Sequence, residues 1–466
     1  MFAASSTTHA NLPEIGTAGA SALTIEKEIQ YGKAFSVMAR GGLPVVYDPV
    51  LVEYITDLGH TLVAHADSVK FPFNFFLIQD NEINAAAFFG GYVKIHTGLF
   101  LYADNESQLA SVVAHEIAHV TQRHLARMME AQSRSNPATL AAMAGSLLLA
   151  LVSPEAGLAM LQTSVAANMQ ANINYTRTHE FEADRIGIQT LNQSGFDPRE
   201  MAGFFGKLSA QYRYSSKPPQ MLLTHPLPET RVAESRNRAA QFPSKKISPS
   251  LSYQLAKARI EARYSNMSGN TSLSFFNNQI KNKDYKLEAA ALYGKSLALI
   301  QIEKYSEAEK IIDELLAQSP RNLFYIDTKT DLDIAQNRHQ QAIDRLSILY
   351  REMPNNAVVV INLINTYMEK KDYEKALVVL DKFLRQQPDN ALAWSMAIKV
   401  NQGLGNLGKA YQARAEYLAL HGDYRKAIDE LTSAGVETNN NLDRARIEAR
   451  IEQFKQAQAA LDELRS

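Results

Sequence analysis

Cysteine is absent from all 466 residues, which removes disulfides, thiolate metal ligands and a cysteine nucleophile together. Charge of one sign is missing as well. With 48 basic against 49 acidic residues the formal net charge is −1, so no global field draws the chain to nucleic acid or an anionic membrane surface. No apolar run reaches the roughly 18 residues that a membrane-spanning helix needs. The expectation is a soluble chain without a transmembrane segment, with peripheral membrane association left open. Met1 to His9 carry neither the basic cluster nor the apolar core of a signal peptide, which fits both the trimmed end of a secreted protein and a cytoplasmic start. Apolar residues are plentiful at 46%, over a length that exceeds one typical core and implies two or three domains.

Without thiolates, a metal must be held by histidine and carboxylate, and His115-Glu-Ile-Ala-His119 has that chemistry. Residues four apart share one face of a helix, so His115 and His119 can point two imidazoles at one ion. Glu116 then reaches beside the ion, where it can take a proton from an activated water. The competing reading is an amphipathic helix that happens to carry two histidines. Against it, Leu109, Val112, Val113, Ala114, Ile117 and Ala118 would bury those histidines and demand partners for them. The helix is expected to start with Asp104 or Asn105 as N-cap and to run to about Gln132.

Further along, Thr176-Arg-Thr-His-Glu-Phe-Glu-Ala-Asp-Arg-Ile-Gly187 opens another helical pattern. Glu180 and Asp184 share a face, with Glu182 nearly opposite. A third ligand and an acid behind a ligand histidine is the pairing a zinc site needs; the same spacing also suits a charged solvated face. His225 sits in a proline-framed turn, Leu223-Thr-His-Pro-Leu-Pro-Glu-Thr-Arg231, able to aim a side chain; such a loop histidine is otherwise simply solvated. His96 is read as structural and His124 as a solvated or capping residue.

Around these motifs, residues 1–22 read as a flexible leader. Helices are expected at 24–40 and 48–66, and strands at 71–78 and 92–97, with Gly90-Gly91 as a turn or bulge between the segment 85–89 and the second strand. An exposed edge strand of such a sheet can add an extended substrate as one more strand; an ordinary core sheet is the alternative. The apolar stretch 138–171 reads as a hairpin of core helices or as a mobile flap. After a polar linker at 242–250, Ala308, Ala342, Ala376 and Ala410 recur every 34 residues, as do Pro320, Pro354 and Pro388, the tetratricopeptide period. Lys371-Asp-Tyr-Glu-Lys-Ala376 returns as Asp423-Tyr-Arg-Lys-Ala427 at an offset of 51, so the array is irregular at its end. Such solenoids bind peptides or proteins on a concave face or serve as packing scaffolds, and this one has the length to wrap back on the first domain.

Together, His115-Glu-x-x-His119, Glu180-Phe-Glu-Ala-Asp184 and Thr224-His-Pro-x-x-x-x-Arg231 resemble the HtpX and CaaX-prenyl-protease-like family of zinc metallopeptidases. The likeness covers nearly all of the chain after the leader. A metzincin is excluded, because Gln122 and Leu125 stand where glycine and a third histidine are required. The resemblance implies one Zn²⁺ per chain on His115, His119 and Glu180, with Glu116 as general base and Asp184 and Arg231 behind the ligands. His225 would fill a fourth zinc position, leaving the resting enzyme latent until its loop moves. His225 swung off the metal, or Arg231, would stabilise the oxyanion, and Phe89, Gly90, Gly91 and Tyr92 would form the substrate edge. Soluble, repeat-bearing members imply a periplasmic location, with misfolded or stalled outer-membrane β-barrel proteins and their assembly machinery as partners.

The expected fold is therefore an α+β zincin-like metallopeptidase domain, mostly helical with a small sheet, over residues 23–241, then an all-α tetratricopeptide-repeat solenoid over 251–466. The expected function is a latent zinc endopeptidase in quality control and assembly of outer-membrane β-barrel proteins. The alternative is a chaperone-like repeat adaptor for the same assembly, its protease site mostly silent.

Overall fold

A computed structural model describes residues 23–133, 169–214, 217, 219–243 and 245–465; the leader expected at 1–22 and nearly all of the hairpin expected at 138–171 lie outside the described residues. Helix α1 (Ile25–Gly42) is capped by the Thr24 side chain on the Lys27 amide. Helix α2 (Pro49–Val63) starts with proline in its first turn behind Asp48 as N-cap. Three strands follow, β1 (Asn74–Ile78), β2 (Ala85–Phe88) and β3 (Tyr92–His96), in the order β1-β3-β2. β1 runs parallel to β3 and β2 antiparallel to it. A short turn, Phe89–Gly91, joins β2 to β3 with Gly90 at φ 69°, a left-handed conformation that glycine adopts without steric cost.

Sheet and helices meet at α3 (Thr97–Tyr102), α4 (Glu106–Thr121) and α5 (His124–Ser133). The single helix expected to reach about Gln132 is thus two, broken at Arg123, whose φ is 54°. A buried ion pair holds the break: Arg123 Nε donates to Glu28 Oε1 at 2.7 Å and Nη2 to the Leu23 carbonyl at 2.6 Å. Helices α6 (Met169–Gln193), α7 (Arg199–Tyr212), α8 (Gln220–Thr224) and α9 (Glu229–Ala239) complete the first half. α6 crosses α4 closely at Gly187, where a Cβ would meet the His115 amide nitrogen at 3.3 Å. That contact brings the acidic motif of α6 beside the histidines of α4.

The second half is a stack of antiparallel helices: α10 (Leu251–Arg263), α11 (Gly269–Asn282), α12 (Glu288–Gln301), α13 (Tyr305–Gln318), α14 (Leu323–Ala335) and α15 (His339–Glu352). It continues through α16 (Ala357–Glu369), α17 (Tyr373–Gln386), α18 (Ala391–Gly403), α19 (Leu407–Leu420), α20 (Tyr424–Glu437) and α21 (Asn441–Arg465). The periodic alanines Ala308, Ala342, Ala376 and Ala410 occupy the fourth position of α13, α15, α17 and α19 and are buried. A methyl group there lets neighbouring helices approach. Ala427 is fourth in α20, the helix next after α19, which explains the irregular offset.

One hydrophobic cluster runs from Val46 through the sheet and α4 to Leu332 and Val358, so the two halves share a core. The Tyr253 hydroxyl donates to the Ala103 carbonyl at 2.8 Å. Arg259 is buried between Asp48 and Asp327, 2.7 Å from each. Asn356, the N-cap of α16, donates to Glu53 of α2 at 2.9 Å. The far end returns to α1: the Tyr47 hydroxyl and His421 Nε2 lie 3.3 Å apart, and Leu461 of α21 packs with Leu23, Phe35, Met38 and Phe88. The array therefore wraps back on the first half.

His96 is buried in β3, its Nδ1 3.5 Å from Asp80 Oδ2. Burial, then the Lys94 charge, push its pKa down to about 4. The unfolded chain takes up a proton here at higher pH than the folded one, so this contribution to stability is present above pH ~6.5 and lost as pH falls toward 4. The apparent Tm is expected to drop over that window, and His96→Gln to flatten the drop. Parallel slopes for parent and variant would contradict the assignment.

Candidate metal centre

Asn105 starts α4, its side chain accepting from the Gln108 amide at 3.0 Å. From Ser107 to Ala118 the helix is buried all round, so His115 enters the protein interior one turn before His119. Their Nε2 atoms lie 3.0 Å apart. α6 brings Glu180, with Oε2 3.3 Å from His115 Nε2 and Oε1 3.3 Å from His119 Nε2. The turn after α8 brings His225, whose Nδ1 is 3.1 Å and 3.2 Å from the Glu180 oxygens and 3.4 Å from His115 Nε2. One donor atom from each of the four lies within 4.8 Å of all the others. Tetrahedral zinc with ligands at about 2.0–2.1 Å places donor atoms about 3.4 Å from one another. The donor set, nitrogen and oxygen without sulfur, also suits that ion.

Behind the donors, His115 Nδ1 is 2.9 Å from Asp184 Oδ1. Arg231 grips Asp184 with Nε and Nη2, each at 2.8 Å, and through Nη1 reaches Glu180 Oε2 at 2.7 Å and the Pro226 carbonyl at 2.8 Å. Burial pushes the Glu180 carboxyl up, but the charges of His225 and His119 outweigh it and hold it well below the usual carboxylate range. Asp184 is likewise held low against burial, chiefly by Arg231. Burial lowers the His115 imidazole, yet hydrogen bonds to Asp184 and Glu180 lift it to about 10. The carboxylates thus favour positive charge where the donors converge. A divalent cation bound there would replace protons on the imidazoles, so its binding would release protons.

Glu116 stands beside this cluster, buried, its Oε2 accepting from the Ala87 amide at 2.8 Å and its Oε1 3.4 Å from His225 Nε2. A carboxylate beside a two-histidine, one-glutamate set, on such a helix pair, is the arrangement zinc metallopeptidases use. Residues 50–239 match peptidase family M48, and residues 333–398 match a tetratricopeptide repeat. A Vibrio cholerae protein is 47% identical over 445 residues, 95% of this chain and 92% of its own length. The Escherichia coli K12 beta-barrel assembly-enhancing protease is 45% identical over 448 residues, 96% of this chain and 92% of its own. The chain belongs to peptidase family M48. A more distant relative, the mitochondrial metalloendopeptidase OMA1 of Schizosaccharomyces pombe, is 26% identical over 213 residues, 45% of this chain and 60% of its own.

Three sequence expectations change in this M48 metalloendopeptidase. Arg231 does not project toward a reacting oxygen, because its N–H groups are committed to Asp184, Glu180 and Pro226; it ties α9, α6 and the His225 turn together from behind. Phe89, Gly90 and Gly91 are buried, and Tyr92 lies on the central strand, paired with Asn74 on one side and Phe88 on the other. These four offer no free edge. The outer side of β1 is partly covered, since Val46 N–H donates to the Leu77 carbonyl. Among the described residues β2 is the edge with no strand on its outer side, where its Ala87 amide donates to Glu116.

His124 is the third change. It is buried, not solvated: its Nδ1 is 2.9 Å from His119 Nδ1 and its Nε2 3.1 Å from Glu182 Oε2. On one continuous helix, five residues would carry it away from His119. The left-handed Arg123 turns it back, and neither glycine nor proline marks that break in the sequence.

Proposed function

We propose that this M48 peptidase is a zinc endopeptidase, held latent by His225, that acts on outer-membrane β-barrel proteins during their assembly in the periplasm. The observation that carries the latency is the double position of His225: Nδ1 lies among the donor atoms while Nε2 lies 3.4 Å from Glu116 Oε1. The ring fills the space where a water between base and metal has to sit. His115, His119 and Glu180 hold the zinc, with Asp184 orienting His115. When bound, Zn²⁺ supplies Lewis acidity toward a peptide carbonyl and toward water. With His225 displaced, Glu116, steadied by the Ala87 N–H, takes a proton from the attacking water and passes it to the leaving amine. An extended segment laid along β2 brings its backbone beside Glu116. Substrate class and compartment rest on the name of the Escherichia coli relative and on the repeat array. The closed site also favours a second reading, a repeat adaptor whose protease is mostly silent.

His225→Ala tests the latency. With zinc retained, basal cleavage of an unfolded outer-membrane barrel protein should rise at least about tenfold, the gain when a competent state populated at about 10% or less becomes dominant. Parental or lower cleavage by the zinc-loaded variant would reject the gate.

A further inference from the structure

His115 and His119 are served differently from behind. His115 meets the Asp184 carboxylate directly at Nδ1. His119 meets another imidazole, His124, and only beyond it a carboxylate. We propose that His124 and Glu182 are positioning residues that fix the tautomer and plane of the His119 ring as a metal ligand, acting as a two-step relay. The inference rests on the zinc reading above.

The direction of the relay follows from valence. A neutral imidazole that offers Nε2 to a metal carries its proton on Nδ1. His119 Nδ1 lies 2.9 Å from His124 Nδ1, and two N–H groups cannot face each other at that separation. His124 Nδ1 is therefore the bare acceptor, and the His124 proton sits on Nε2. From there it is donated to Glu182 Oε2 at 3.1 Å. Arg127 Nη1 donates to the same oxygen at 2.8 Å and holds the carboxylate in place.

The ring planes are fixed too. The His119 and His124 rings stand nearly perpendicular, with centroids 4.8 Å apart and planes at 81°, and approach each other through their Nδ1 atoms at 2.9 Å. His179 stacks flat on His124 with centroids 4.2 Å apart and planes at 4°, so His124 cannot rotate without losing that contact. His119 stands on α4, His124 and Arg127 on α5, and Glu182 and His179 on α6. The relay thus makes the angle between α4 and α5, set at Arg123, part of the metal centre. Such partners behind a ligand are typically worth about 10–100-fold in metal affinity.

The test is Zn²⁺ affinity of the full chain, measured by competition with a chelator. The parent must hold one Zn²⁺; a parent that binds none overturns the zinc reading itself, which separates that failure from failure of the relay. His124→Leu, which removes the acceptor, should weaken Zn²⁺ binding by about 10–100-fold with unchanged helical circular dichroism. His124→Asn, whose Oδ1 stands where Nδ1 did and accepts from His119, should recover most of that loss. If His124→Leu does not fold, Glu182→Ala decides, since the Glu182 side chain is 24% exposed and never touches the ligand set; it should bind Zn²⁺ measurably more weakly than the parent. Parental Zn²⁺ affinity in folded His124→Leu or in Glu182→Ala overturns the proposal, and so does a folded His124→Asn as weak as His124→Leu.

Discussion

Glu116→Gln is expected to lower peptide-bond hydrolysis by about 10²–10⁴-fold, the usual contribution of a positioned proton-transfer group, and to leave Zn²⁺ binding intact. Glutamine has the size of glutamate, and its carbonyl oxygen can still accept from the Ala87 amide, so neither the buried pocket nor the contact with β2 needs to change. None of the atoms that converge between α4, α6 and the His225 turn belongs to Glu116. What is lost is the ability to take a proton. The measurement belongs in a His225→Ala background, where the gate proposed above cannot mask the chemistry. Cleavage at the rate of the His225→Ala parent would remove Glu116 from the mechanism. The same variant separates the two functional readings, because an adaptor with a silent protease keeps its effect on barrel assembly without that carboxylate.

The second large effect is on stability. Arg259→Met should cost about 3–5 kcal/mol, the usual result of removing one partner of a buried ion pair. Arg259 is buried with Asp48 on one side and Asp327 on the other, and it also donates to the Tyr293 hydroxyl at 2.8 Å. Asp48 caps α2, accepts from the Tyr264 hydroxyl at 3.0 Å, and is held below its ordinary range by Arg259 and Arg263 although burial pushes it up. Methionine fills the volume but leaves two buried carboxylates facing each other. Since native stabilities are about 5–15 kcal/mol, the loss is a large fraction, and it falls where the peptidase half meets the repeats. Urea unfolding should show a lowered midpoint, and Arg259→Met/Asp327→Asn should recover part of it, because one of the stranded charges is gone. A parental midpoint for the single variant would mean that the shared apolar core alone holds the halves together.

Some of the centre was legible because it depends on spacing within one helix. Residues i and i+4 lie on one face whatever the rest of the chain does, so His115 with His119, and Glu180 with Asp184, were readable as pairs. The repeat array was readable for the same reason, since a small residue at the fourth position of alternate helices is a period of 34 in the sequence. His225 drew attention by its proline frame, but nothing local says where such a turn points; Arg231, reaching both Asp184 and the Pro226 carbonyl, ties it beside Glu180.

What the sequence by itself determined is therefore the pentapeptide, the acidic pair, the repeat period and, through resemblance, the family. The tertiary structure alone decided which way His124 faces, which sheet edge lacks a strand partner, which groups Arg231 grips and how the repeats return to α1. Each of these rests on a contact between residues far apart in the chain: Arg123 with Glu28, β2 against β3 with its amide on Glu116, Arg231 with Asp184, Gly41 of α1 against the His421 carbonyl. Local periodicity carries no information about such partners, because packing and ion pairing choose them only once the helices have met.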